Sequence, residues 1–254
     1  MSGPLGVMCV LLLEAAVGGA VILWAAGVWG AVRRGFFLLT GATVALCAVG
    51  AWAIARAELP AAGNGAVLAL LTGFAGLSVL WPLLLVAGQE TVARLAGIAA
   101  AAVGVVALGV FGTVHDDPLA AVAALVCGAV FLGSTLYGLL LGHWYLVERR
   151  LDKRHMVRSA WWYIAGVVAA VGTAALSAAQ PAPEVSQTFS PLLAVPGFST
   201  LLAGGLVAIC VLIAAFVWKL AKEGGRSIQA ATGYFYLAVI MAFSAELSAK
   251  IGFF

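Results

Sequence analysis

The sequence predicts an all-α integral membrane protein: a bundle of eight transmembrane helices with both termini on the outer side of the membrane. Of its 254 residues, 64% are hydrophobic and only 9% are charged, which is too few charges to cover a surface exposed to water. Apolar segments of about 20 residues, long enough to cross the hydrocarbon layer, recur along the whole chain. Lysine and arginine are concentrated in alternate loops, as expected of a membrane bundle.

The apolar segments form a single transmembrane domain covering residues 1–254. The predicted spans are about 5–29, 36–55, 66–87, 95–114, 119–147, 159–179, 199–218 and 228–249. The first span has no basic segment before it and is too long for a signal peptide, so we interpret it as an uncleaved helix. The fourth is rich in Ala and Gly, and the fifth is long enough to tilt or to extend past the bilayer.

The basic residues give the orientation. Eleven of the thirteen Lys and Arg lie in alternate gaps between the spans, which the positive-inside rule assigns to the cytoplasm. These residues are Arg33, Arg34, Arg94, Arg149, Arg150, Lys153, Arg154, Arg158, Lys219, Lys222 and Arg226. The pattern predicts that 148–158 is cytoplasmic and that the proline-rich stretch 180–198 is outside. It also explains the basic pI near 8.8 without nucleic-acid binding.

Several local patterns predict details within the bundle. Asp117 before Pro118 is typical of a helix start, with the Asp side chain as N-cap. Proline within Trp81-Pro82 is expected to kink the third span and to free a backbone carbonyl. The fifth span carries Gly138 and Gly142 four residues apart, which indicates a close helix contact within the bundle or with a partner.

The first and fifth spans end alike, with aromatic residues followed by an Arg-Arg pair. Trp29 precedes Arg33-Arg34, and Trp144-Tyr145 precedes Arg149-Arg150. This similarity would fit a parallel duplication of four spans plus four.

Two carboxylic acids fall inside predicted spans. Glu14 and Glu246 both lie in the outer half of the membrane, where an ionisable group costs roughly 2.5 kcal/mol or more and often marks function. Lys250 is one helical turn after Glu246 and shares its face. The functional interpretation is a proton-handling cluster of Glu14, Glu246 and Lys250. The structural alternatives are a Lys250 that reaches water while pairing with Glu246, and a protonated Glu14 hydrogen-bonded to a backbone carbonyl.

A second candidate site lies at the inner ends of the spans. His143, Tyr145, Trp162 and Tyr236 fall at similar depth there, and a quinone head group would find rings to stack on and donors for its carbonyls. The alternative is the belt of Trp and Tyr found at membrane interfaces generally.

Other cofactors are disfavoured by composition. Only His143 of the three histidines is near a span, while His115 and His155 lie in loops, which argues against an internal bis-histidine haem. The four cysteines lie singly in apolar runs, so we predict no metal site and no covalently bound cofactor.

These patterns support three functional hypotheses. The first is a membrane subunit of a larger electron-transfer or energy-transducing complex with a quinone-type pocket, in contact with lipids and other membrane subunits. Its expected location is a cell membrane, in a bacterium the inner membrane. The alternative is a small proton-coupled transporter that uses the intramembrane glutamates. An intramembrane enzyme acting on a lipid ranks third, because the sequence shows no clustered nucleophile or metal site.

Overall fold

The computed structural model describes residues 3–115, 117–179 and 197–251. Within these ranges the chain forms eight α-helices, each long and apolar enough to cross a membrane, and no strand beyond an isolated bridge between Trp29 and Val32. The helices are α1 (Pro4–Ala25), α2 (Arg34–Glu58), α3 (Ala61–Val86), α4 (Glu90–Gly112), α5 (Pro118–Val147), α6 (Arg154–Ala178), α7 (Phe198–Glu223) and α8 (Ser227–Lys250). The chain therefore has the features of a multi-pass membrane protein.

The helix boundaries differ from the predicted spans by up to five residues. The helices α4, α6 and α7 extend into polar sequence, since hydropathy detects only the apolar part of a helix. Helix α1 instead ends early, at Ala25, where Gly27 and Gly30 take left-handed φ values of 61° and 78°. That conformation suits glycine and ends the helix.

The helices form two rings of four. In the first ring α1 packs on α2, α2 on α3, α3 on α4, and α4 returns to α1. The second ring repeats this order with α5, α6, α7 and α8. The shared order is the arrangement that a duplication of four helices would produce. Of the predicted outer segment, residues 180–196 lie outside the described ranges.

The two rings are joined chiefly by α1 and α5, which are the two most buried helices. They meet at Gly18 and Gly133, where a Cβ atom on either residue would overlap the backbone of the other helix. Only glycine allows backbones to approach this closely. The outer faces of the bundle remain apolar, as shown by Leu46, Leu119 and Leu201, which are each more than 70% exposed.

Basic side chains join neighbouring helices at one end of the bundle, and one of them, Arg158, also joins the two rings. There, three cationic side chains donate hydrogen bonds to backbone carbonyls at the ends of other helices, where the helix dipole is negative. The pairs are Arg34 with Val86, Lys153 with Lys222, and Arg158 with Ala26. We call this the basic end, where α1, α3, α5 and α7 finish, and the opposite one the far end.

The local predictions have clear outcomes. The N-cap at Asp117 is confirmed, because its carboxylate accepts a hydrogen bond from the Ala120 N–H at 3.2 Å. Helix α3 continues through Pro82 to Val86. Gly138 and Gly142 face Phe235 and Thr232 of α8, so the predicted small-residue contact lies within the bundle.

Candidate functional site

The candidate site is an ion cluster made by Glu14, Glu246 and Lys250. The Lys250 ammonium lies 2.7 Å from Glu14 Oε1 and 3.6 Å from Glu246 Oε2. It also donates a hydrogen bond of 2.7 Å to the Ala124 carbonyl of α5. The cluster thus joins α1, α5 and α8 where the two rings meet.

The cluster is closed off from the surroundings of the bundle. Glu14 and Lys250 are 0% exposed and Glu246 is 1% exposed. Glu14 lies ten residues into α1, about 15 Å along the helix axis at 1.5 Å per residue. Since Lys250 reaches it from the last turn of α8, that helix ends at the depth of the cluster.

A glycine of α5 makes room for the Glu14 carboxylate. A Cβ atom built on Gly128 would overlap both carboxylate oxygens of Glu14. A side chain at this position would therefore push Glu14 away from Lys250. On the other side of the cluster, the Thr173 side chain of α6 lies within reach of the Glu246 carboxyl group.

The charge count of the cluster is unbalanced. With all three groups ionised, two carboxylates and one ammonium give a formal charge of −1. A net charge buried in a medium of low dielectric constant costs several kcal/mol, and one bound proton removes it. Glu14 is the closer partner of the ammonium, so Glu246 is the better position for that proton.

The structure thus brings together all three residues of the predicted proton-handling cluster. Glu14 is buried against other helices, and the predicted pairing of Glu246 with Lys250 is confirmed. The alternative in which Lys250 reaches water is wrong, because its ammonium is held inside by Glu14 and Ala124. The sequence did not reveal the contact between Glu14 and Lys250, which are 236 positions apart. The sequence feature that could have indicated this contact is that the two residues have opposite charges and lie at similar predicted depth in the membrane.

The four residues of the predicted quinone pocket are only partly brought together. Tyr236 Oη and His143 Nδ1 are 3.3 Å apart, and both side chains are exposed at the basic end. The hydroxyl of Tyr145 is buried and occupied, since it donates to the Asp152 carbonyl and accepts from the Met156 N–H. Trp162 is half-buried. Quinone binding stays a prediction, and its best-placed pair is His143 with Tyr236.

The described residues offer little to a metal ion. No three His, Cys, Asp or Glu side chains among residues 3–115, 117–179 and 197–251 come together as a metal site requires. Comparison of the chain with protein-family models, with curated protein sequences and with solved structures gives no match. The geometry of the ion cluster is therefore the main indication of function in this chain.

Proposed function

We propose that this protein is a small proton-coupled membrane transporter, in which the cluster of Glu14, Glu246 and Lys250 binds and releases one proton. The observation that carries the proposal is the unbalanced charge of a fully buried cluster. An intramembrane ion pair that served only to join helices would need one carboxylate for its one ammonium. A second carboxyl group is expected where the site binds and releases a proton, because protonation neutralises its charge.

The position of the cluster also supports transport. It lies where α1 of one ring meets α5 and α8 of the other, so a change in its charge acts directly on the joint between the rings. Protonation of Glu246 weakens its attraction to Lys250, and deprotonation restores it. A proton can therefore bias the relative position of the two rings, which is the step that alternating access requires.

The test is a pH jump on proteoliposomes adsorbed to a solid-supported membrane. Because the cluster lies inside the membrane, proton binding should displace charge and give a transient current in the wild-type protein. Glu14→Gln and Glu246→Gln each leave one carboxylate for one ammonium, so both should fold and both should lose the transient current. Glu90→Gln, which changes an exposed glutamate at the basic end, is the matched control. A wild-type current in folded Glu14→Gln and Glu246→Gln would refute the proposal.

A second candidate function is a membrane subunit of an electron-transfer or energy-transducing complex that binds a quinone. The observation that favours it is the exposed pair of His143 and Tyr236, which could offer donors to a quinone carbonyl from the lipid side. Titration with a fluorescent quinone analogue tests it. Binding that is lost in Tyr236→Phe and His143→Ala supports this function, and equal binding in wild type and variants rejects the site.

The proposed location is a cell membrane, in a bacterium the inner membrane, with the basic end in the cytoplasm and lipids around the apolar outer faces. Support comes from the basic residues, which cluster at one end of the bundle.

A further inference from the structure

Helix α6 has one buried face that carries polar side chains towards both ends of the helix. Seven positions, each three or four residues from the next, define this face and lie within the bundle. They are His155, Ser159, Tyr163, Gly166, Ala170, Thr173 and Ser177. Such a face is unusual in a membrane helix, because polar groups there must find partners inside the protein.

Several of these polar groups lack protein partners. Ser159 Oγ and His155 Nδ1 are buried and make no hydrogen bond, and Thr173 Oγ1 has no neighbour of this kind other than the Glu246 carboxyl group. In a helix, a buried hydroxyl usually bonds a carbonyl one turn earlier. Thr40, Thr135 and Thr232 all do so here.

The unpartnered groups point to water within the second ring. Buried polar groups without protein partners are usually satisfied by ordered water, which makes two to four hydrogen bonds of its own. Beside Gly166, where α6 has no side chain, the Ser134 hydroxyl of α5 occupies the space.

The polar face connects the basic end with the ion cluster. It starts at His155 in the first turn of α6, among the charged groups Asp152, Arg154 and Arg158. It ends where Thr173 lies within reach of Glu246 and where Ser177 donates to the Ala249 carbonyl, next to Lys250. From His155 to Thr173 the rise is about 27 Å at 1.5 Å per residue, close to the thickness of the hydrocarbon layer.

We infer that the buried polar face of α6 is a proton path, in which hydroxyl groups and water carry protons between the basic end and Glu246. The inference depends on the proposed function, because it supplies the route for the proton that the cluster binds. Each step transfers a proton along a hydrogen bond, from water to hydroxyl to water, so no group is oxidised or reduced. Protons therefore reach the cluster from the basic end of the bundle.

The test measures the rate of the pH-jump current in wild type, Ser159→Ala and Thr173→Val. Ser159→Ala removes the hydroxyl oxygen alone, and Thr173→Val replaces the hydroxyl group by a methyl group of similar size. We expect the current to rise at least about tenfold more slowly in both, because proton relays through positioned groups contribute on that scale or more. In Ser159→Ala the total displaced charge should stay at the wild-type value, because Ser159 lies 14 residues, or about 21 Å of helix, before Thr173 and the cluster is intact.

Two control variants and a measurement of folding accompany the test. Ser78→Ala is the matched control, because Ser78 Oγ is also buried and unpartnered but lies in the first ring. Thr173→Ser restores the hydroxyl and should return the rate to the wild-type value, even if Thr173→Val folds poorly. Thermal unfolding shows which variants are folded.

The possible results distinguish the proton path along α6 from proton binding by the ion cluster. Slow currents in Ser159→Ala and Thr173→Val, with fast ones in Ser78→Ala and Thr173→Ser, support the path. Wild-type rates in Ser159→Ala and Thr173→Val overturn the path and leave the proton-binding cluster in place. Absence of any displaced charge in the wild-type protein overturns the proposed function and, with it, the path.

Discussion

The two rings of the bundle share one layout and differ in what fills them. Among the described residues, the buried polar and charged side chains of the first ring are Glu14, Thr40 and Ser78, and the second ring has ten. Buried aromatic side chains occur in both rings, for example Phe74 and Trp81 in the first and Phe131 and Phe235 in the second, so the rings differ in their polar groups. Under the proposed function, α1–α4 serve as scaffold, while α5–α8 carry the polar groups that Glu14 joins from the first ring.

The largest expected effect comes from removing the only cation of the cluster. Lys250→Met leaves two buried carboxyl groups without a positive partner and should lower the free energy of unfolding by about 3–5 kcal/mol. Unfolding titrations in mixed micelles measure the change. Lys219→Met, at an exposed lysine of α7, is the matched control and should be close to wild type.

The same experiment has an internal check. Adding Glu14→Gln and Glu246→Gln to Lys250→Met removes every charge of the cluster and should recover much of the lost stability. If Lys250→Met is as stable as Lys219→Met, then the buried ion pair contributes nothing to the free energy of unfolding. The rings would then not differ in the way described above.

A pair of glycine substitutions compares the rings directly. A Cβ atom on Gly97 would overlap the Trp24 ring in the first ring, whereas one on Gly128 would overlap the Glu14 carboxylate. Gly97→Ala and Gly128→Ala should each destabilise the protein by about 1–3 kcal/mol, as overpacking does. Only Gly128→Ala should also change the charge displaced by a pH jump, because only it moves a residue of the cluster.

Gly204→Ala is the control for this pair, since a Cβ atom there meets nothing within 4 Å. An unchanged displaced charge in destabilised Gly128→Ala would contradict the role given to Glu14.

The sequence predicted the architecture well and the site in part. Hydropathy located all eight helices, since an apolar segment of the right length has few other stable structures in lipid. The i, i+4 spacing of Glu246 and Lys250 predicted their pairing, which depends on one helix alone. The Glu14–Lys250 contact could not be predicted, because it depends on how α1 packs against α8.

The polar face of α6 illustrates a missed signal. His155, Ser159, Thr173 and Ser177 follow helical spacing and could have been found in the sequence. Serine and threonine are common at ordinary helix contacts, so the spacing alone does not separate a path from packing. Burial of Ser159 and His155 without hydrogen-bond partners favours the proposed path, and this burial is visible only in the folded structure.

A smaller effect is expected at the exposed pair of the basic end. Tyr236→Phe and His143→Ala remove a contact of 3.3 Å between exposed side chains and should change stability by no more than about 0.5 kcal/mol. Thermal unfolding measures this. A large loss of stability in either variant would show that the pair is structural, as the buried cluster is.

The orientation of the protein in the membrane is tested by chemical labelling and not by a measurement of stability. In a background with the four native cysteines replaced by alanine, Asp152→Cys should be labelled from the cytoplasmic side and Gln187→Cys from the outer side. Labelling of both positions from one side would contradict the assignment of the basic end to the cytoplasm.

The most direct test of the central claim is the infrared spectrum of the membrane-embedded protein near neutral pH. If the cluster holds one proton, the spectrum contains the C=O stretch of a protonated carboxylic acid, which shifts in D₂O. The band should be absent from both Glu14→Gln and Glu246→Gln, since either substitution leaves one carboxylate paired with Lys250. A wild-type spectrum without this band, or a band that persists in both variants, would contradict the account.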